Sequence, residues 1–198
     1  MLKIGITGGI GSGKTTVCHL FETLHIPVYY ADDAAKWLMN NNADLIIAIK
    51  NAFGSDVYND QKQLQRTKLA SIVFSNANAR KLLEGLVHPA VEQHNQQWIE
   101  QHKNAPYVLK EAALIFESGS YKHLDKVITV TAPLELRISR VTKRDNATRE
   151  QVEARIAAQM PDEEKIRLSD FVIYNNEQQM LIPQVMHIHE QIMQQIKA

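Results

Sequence analysis

The chain has 198 residues, 44% of them hydrophobic, with 22 Lys and Arg against 22 Asp and Glu. That length holds one large α/β domain with insertions, and the zero net charge excludes an overall field drawing the chain to nucleic acid or an anionic membrane. A single cysteine, Cys18, excludes an intramolecular disulfide and a cysteine-rich zinc site and fits a reducing cytoplasm, while no apolar run reaches the roughly 18 residues of a membrane span.

Residues 2–7, LKIGIT, read as a buried strand that breaks into GGIGSGKT, residues 8–15. This run satisfies G-x-x-x-x-G-K-[ST] immediately after a strand and at the opening of a helix, and it interrupts the apolar stretch where a signal peptide would continue. Glycines let the backbone curl so that successive N–H groups face phosphate oxygens, and the helix adds its positive N-terminal end. Lys14 then reaches the β/γ-phosphates, and the Thr15 hydroxyl ligates Mg²⁺. The dinucleotide fingerprint G-x-G-x-x-G fails, because counting from Gly9 lands on Lys14 and from Gly11 on Thr16. The expected ligand is a nucleoside triphosphate.

A second strand is expected at residues 26–30, IPVYY, ending in ADD. Asp32 and Asp33 thus fall at the carboxyl end of a strand, where α/β sheets place ligands; a carboxylate there can accept the proton of an attacking hydroxyl. One of the pair is expected to cap the next helix. Residues 32–103 show only helical patterns and read as an insertion forming part of a binding cleft. Within it, Pro89 of LVHPAV is expected to break or kink a helix and push His88 out of the α region, either to aim its imidazole or as a structural kink.

Strands at 107–112, 126–130 and 170–174 complete a parallel sheet covered on both faces, since most of the runs lack strict alternation. Glu111 ends the third strand, where it holds a metal-bound water or caps a following helix, and Phe116 and Glu117 are expected to face the same cleft. Residues 134–168 form a second insertion. Its TKRD, residues 142–145, resembles the guanine-reading [NT]-K-x-D but lies in a helical pattern rather than after a strand, and no strand ends in D-x-x-G. A kinase therefore displaces a switch GTPase. In that helix Leu134, Ile138 and Val141 make an apolar stripe, while Arg137, Arg140 and Arg144 share another face. Such a face is a solvated surface or an anion clamp, and beside a P-loop it reads as the clamp. Arg149, Arg155 and Arg167 fall on later helices that could close over the nucleotide and exclude water.

The blocks TGGIGSGKT, ADDAAK, LASIVF, LEGLVHP, ALIFESG, RVTKRDNATREQVEARIAAQ and SDFVIYNN stand in order along nearly the whole chain, and on them it resembles the dephospho-CoA kinases. The resemblance implies an enzyme that moves the γ-phosphate of ATP to the ribose 3′-hydroxyl of dephospho-CoA with Mg²⁺, completing coenzyme A. Another P-loop small-molecule or nucleotide kinase is the alternative. It also implies a P-loop three-layer α/β core with a five-stranded parallel sheet (1–31, 104–133 and 169–198), a helical CoA-acceptor insertion (32–103) and a small helical lid (134–168). Gly11, Ser12, Gly13, Lys14, Thr15 and Thr16 would cradle the ATP phosphates, with Thr15 on the metal and Asn175 near the adenine. Asp32 matches the second aspartate of the family's D-A-D and would be the base; Arg140 and Arg144 match lid arginines and join Lys14 and Asp32 as catalytic groups. Lys36, His88, Leu114, Phe116 and Glu117 would stand on the acceptor side. The chain departs from the family's pattern at Tyr30 for the first aspartate of D-A-D, Lys36 for Arg, Glu111 for Asp, Ala113 for Pro and Arg137 for Gln. The expected partners are ATP and dephospho-CoA, in the cytoplasm, with no nucleic acid and no membrane; monomer and homo-oligomer both stay open.

Overall fold

A computed structural model describes residues 1–74 and 76–197. Leu2–Thr7 (β1) sends Ile4 and Ile6 into the core, and Tyr107–Glu111 (β3) is buried along its whole length, as a strand covered on both faces must be. With Val28–Tyr30 (β2), Lys126–Thr131 (β4) and Phe171–Tyr174 (β5) they form a parallel sheet of five strands in the order β2-β3-β1-β4-β5. This bears out the expected fold class. The register sets Ile6 beside Glu111 and Ile128, and Tyr30 beside Glu111, so the carboxyl ends of β2, β3, β1 and β4 lie along one rim. β1 sits between the strands that follow it later in the chain, which makes its carboxyl end the crevice where such sheets bind ligands.

Lys14–Thr23 (α1) and Leu181–Lys197 (α9) pack together over one face of the sheet. Val17, Cys18 and Phe21 of α1 meet Val185, Ile188 and Ile192 of α9 against Ile4, Ile6, Tyr107 and Leu109. On the other face Ile115, Phe116 and Val127 form a smaller apolar cluster with Met160 at its edge. Leu134–Asp145 (α6), Arg149–Ala157 (α7) and Asp162–Leu168 (α8) precede β5. Ile138 and Val141 of α6 pack with Val152 of α7 and Ile10 of the glycine loop, whereas Leu134, expected in the same stripe, is 52% exposed at the start of the helix.

The chain divides into two compact units, one made of Met1–Tyr30 with His102–Ala198, which hold the sheet, and the other of Ala31–Gln101. The second unit comprises Ala31–Asn41 (α2), Ala43–Phe53 (α3), Arg66–Phe74 (α4) and Ala77–Gln101 (α5), with α5 packed against the other three. Asn42 starts α3 by accepting the Leu45 amide at 2.9 Å, and the Tyr58 hydroxyl donates to the Met39 carbonyl at 2.7 Å.

The expected break at Pro89 does not occur. α5 runs through it, and His88 stays helical and exposed. Val87, Val91 and Asn95 bury one side of α5 at i, i+4 and i+8, and packing along this seam carries the helix past the missing N–H. An interior proline disfavours a helix by roughly 3 kcal/mol, so Pro89→Ala is expected to raise the thermal midpoint, by part of that amount. A lower midpoint in a melt followed by circular dichroism would show that the ring itself packs usefully.

Candidate active site

Between β1 and α1 the chain curls through Gly8, Gly11 and Gly13, with φ of 151°, 80° and 94°. Gly13 occupies the left-handed region at the N-cap of α1, a conformation open to glycine at little cost. Lys14, Thr15 and Thr16 follow as the first turn of α1, with both threonines exposed. The Lys14 ammonium donates to the Gly8 carbonyl at 2.9 Å and stands 3.9 Å from Glu111 Oε1 at the end of β3. Ser12 is fully buried, and its hydroxyl has no hydrogen-bond partner among the described residues.

The loop's outward-facing peptide groups are held by residues distant in sequence. Asn175, just after β5, donates through Nδ2 to the Ser12 carbonyl at 2.8 Å. Arg140 reaches Asn175 O and Oδ1 at 3.3 Å each, Glu177 at 3.2 Å and, more loosely, the Gly11 carbonyl at 3.5 Å. Gln159 Oε1 accepts the Ile10 amide at 2.9 Å. The structure therefore brings Lys14, Arg140 and Asn175 to one loop.

It does not assemble the expected row of arginines. Arg137 is buried behind the loop, donating to the Ile10 carbonyl at 2.9 Å and pairing with Asp162 at 2.8 Å. The helical period correctly separates the arginines from the apolar stripe, yet it is silent on Ile10 and Asp162, which come from elsewhere to cover one end of that face. Arg144 is exposed and pairs with its neighbour Asp145 at 2.7 Å. Arg149 pairs with Glu135 and Glu153, Arg155 with Asp145, and Arg167 stands 3.8 Å from Glu164, all as surface ion pairs. Such pairs contribute little stability.

After Glu111 the chain makes turns, so there is no helix for that carboxylate to cap. Leu114 is 43% exposed, but Phe116 faces the apolar cluster with Val127 and an adjoining ring, Tyr121, and not a cleft. Glu117 accepts the Met160 amide at 3.0 Å and pairs at 3.0 Å with Lys165, an ammonium with no exposed surface. Lys165 escaped the sequence reading because DEEK in a charged stretch looks like a solvated helix face. Burial draws the Glu117 carboxyl upward, but the Met160 amide and the Lys165 ammonium outweigh it and hold the group below its usual range.

In the second unit Asp32 and Asp33 lie within the first turn of α2 rather than before it, where both carboxylates favour the helix dipole. Asp33 is tied to Lys36 at 2.6 Å, so Lys36 is partnered within its own helix, and Asp32 is exposed.

The sequence profile of the dephospho-CoA kinase family matches residues 2–180. The chain belongs to this family. A dephospho-CoA kinase of Bacteroides fragilis is 38% identical over 187 residues, covering 94% of this chain and 91% of the relative. Among solved structures, the dephospho-CoA kinase from Campylobacter jejuni shares 29% identity at a TM-score of 0.70, covering 98% of both chains. A crystal structure from Thermus thermophilus shares 34% identity at a TM-score of 0.83, covering 98% of this chain and 97% of the other. The chain is accordingly a kinase that transfers phosphate to an alcohol. No helix among the described residues is long and apolar enough to cross a membrane.

Glu117 titrates lower in the folded chain than in the unfolded one. Its stabilisation is therefore present above the unfolded carboxyl value of about 4.3 and lost as pH falls through the lower folded value. Glu117→Gln is expected to flatten that part of the stability profile and, by stranding the Lys165 ammonium, to cost about 3 kcal/mol near neutrality. Urea titrations from pH 3 to 7 that superimpose for the two proteins would refute the pairing.

Proposed function

We propose that this kinase transfers the γ-phosphoryl group of ATP in line to the ribose 3′-hydroxyl of dephospho-CoA, forming ADP and coenzyme A. The observation that carries the reading is the phosphate-binding loop: a left-handed Gly13 opens α1, with Lys14 and the two threonines in its first turn. Amides of residues 11–16 and the end of α1 receive the phosphates, and Lys14 moves from the Gly8 carbonyl to phosphate oxygens. The buried Ser12 hydroxyl, lacking a partner among the described residues, is suited to the same oxygens.

Arg140, carried beside the loop by Asn175 and Glu177, stabilises charge on the moving group, and Arg144 joins it by exchanging Asp145 for the nucleotide. Asp32 orients the 3′-hydroxyl and takes its proton. The unit formed by α2 to α5, with Lys36 and His88 on it, receives the acceptor, and α6 to α8 form the lid. For Mg²⁺ the available donors are oxygens, the exposed Thr15 hydroxyl and the Glu111 carboxylate, which is the hard set this ion prefers. Held by these oxygens, Mg²⁺ would supply neutralisation of phosphate charge. The single cysteine, buried Cys18, suits a cytoplasmic enzyme.

Asp32→Asn is expected to leave ATP affinity nearly intact while lowering kcat at least about a hundredfold, the scale of a lost general base. Near-normal turnover would remove Asp32 from its role. Lys14→Ala is expected to lose on the order of a hundredfold in kcat/KM, as for a deleted electrostatic stabiliser; unchanged steady-state kinetics would discredit the loop as the phosphate site.

A further inference from the structure

Arg137 is 5% exposed and stands behind the glycine loop, and two of its three guanidinium nitrogens have fixed partners. Nε donates to the Ile10 carbonyl at 2.9 Å, and Nη1 pairs with Asp162 Oδ2 at 2.8 Å. Nη2 lies 2.1 Å from where a Cβ on Gly9 would be. Asp162 is itself fixed by the Thr131 hydroxyl, 2.9 Å away at the end of β4. Gly9 has no positive φ, so a side chain is excluded there by the guanidinium, and by Asp162 Oδ1 at 2.8 Å, rather than by backbone conformation. Gln159 takes the Ile10 amide, so Ile10 is gripped at both of its peptide groups. A lysine could not replace this arginine. One ammonium on a flexible stem lacks the planar fork that meets a carbonyl and a carboxylate together.

We propose that Arg137 is a positioning residue for the nucleotide. Seated by Asp162 and admitted by Gly9, it holds the Ile10 carbonyl on the outside of the loop, so that the amides of residues 11–16 stay turned to the phosphates. It touches no substrate. The proposal rests on the reading of those residues as the ATP cradle.

A double-mutant cycle between Gly9→Ala and Arg137→Met tests it, with Mg·ATP binding measured by calorimetry without acceptor and melting followed in parallel. Each single change is expected to weaken ATP binding about tenfold, the scale of one charge-assisted hydrogen bond. The double variant is expected to bind no worse than Arg137→Met alone, because the two closest contacts of the added methyl, Nη2 and Cζ of Arg137, are then gone, and Asp162, whose Oδ1 lies 2.8 Å from it, is released from its arginine partner and can turn away. Arg137→Lys is expected to behave like Arg137→Met, and KM is expected to rise for ATP but not for dephospho-CoA. A merely structural arginine would lower the melting midpoint and leave ATP affinity per folded molecule unchanged, and that result overturns the proposal. Additive effects in the cycle overturn it too. Because binding is read without acceptor, failure of the parent to phosphorylate dephospho-CoA counts against the proposed reaction while the cycle still decides the role of Arg137.

Discussion

A loop that offers its amides to phosphate must place its carbonyls elsewhere, and a buried carbonyl without a donor is costly. Here the carbonyls of Gly8, Ile10, Gly11 and Ser12 are met by Lys14, Arg137, Arg140 and Asn175. Three of these donors come from the second half of the chain. That requirement gives the sheet order its significance: with β4 beside β1 and β5 beyond it, α6 and the residues after β5 are delivered to the outside of the loop. The surroundings of the glycine loop are thus a property of the assembled sheet, and the short glycine motif supplies only their inner surface.

Burial imposes a second constraint, because an unpaired ion away from water is expensive. Three cations of the sheet-bearing unit with little exposed side chain stand against carboxylates: Arg137 with Asp162, Lys165 with Glu117, and Lys14 3.9 Å from Glu111. The first two pairs fasten the chain around α8 to the glycine loop and to the segment after β3. The charges on α7, by contrast, form exposed pairs that hold little. Charge in this chain therefore does two different jobs, and position relative to the sheet decides which.

The strands and the glycine turn that opens α1 were legible because their signals are local: continuous apolar runs, a glycine spacing, a lysine and a hydroxyl at fixed offsets. Even so, β2 begins at Val28 rather than Ile26, since Ile26 bonds back to Phe21 instead of joining the ladder. What misled the sequence reading is non-local. Periodicity places Arg137 on a polar face but cannot reveal that Ile10 and Asp162 cover it. Pro89 signals a break, and only the packing of Val87 and Val91 overrides it. Phe116 next to Glu117 suggests a cleft, whereas alternate sides of one turn send the ring to an apolar cluster and the carboxylate to Lys165. Family resemblance reached further than physics alone on the acceptor, because no spacing in the sequence encodes dephospho-CoA.

The most direct test of the account is coupled ADP release from Mg·ATP, measured with dephospho-CoA, with adenosine or AMP in its place, and with no acceptor. The account predicts ADP only with dephospho-CoA and a product bearing a new ribose 3′-phosphate. Equal ADP release without any acceptor would contradict it, because the loop would then be serving water as the phosphoryl acceptor.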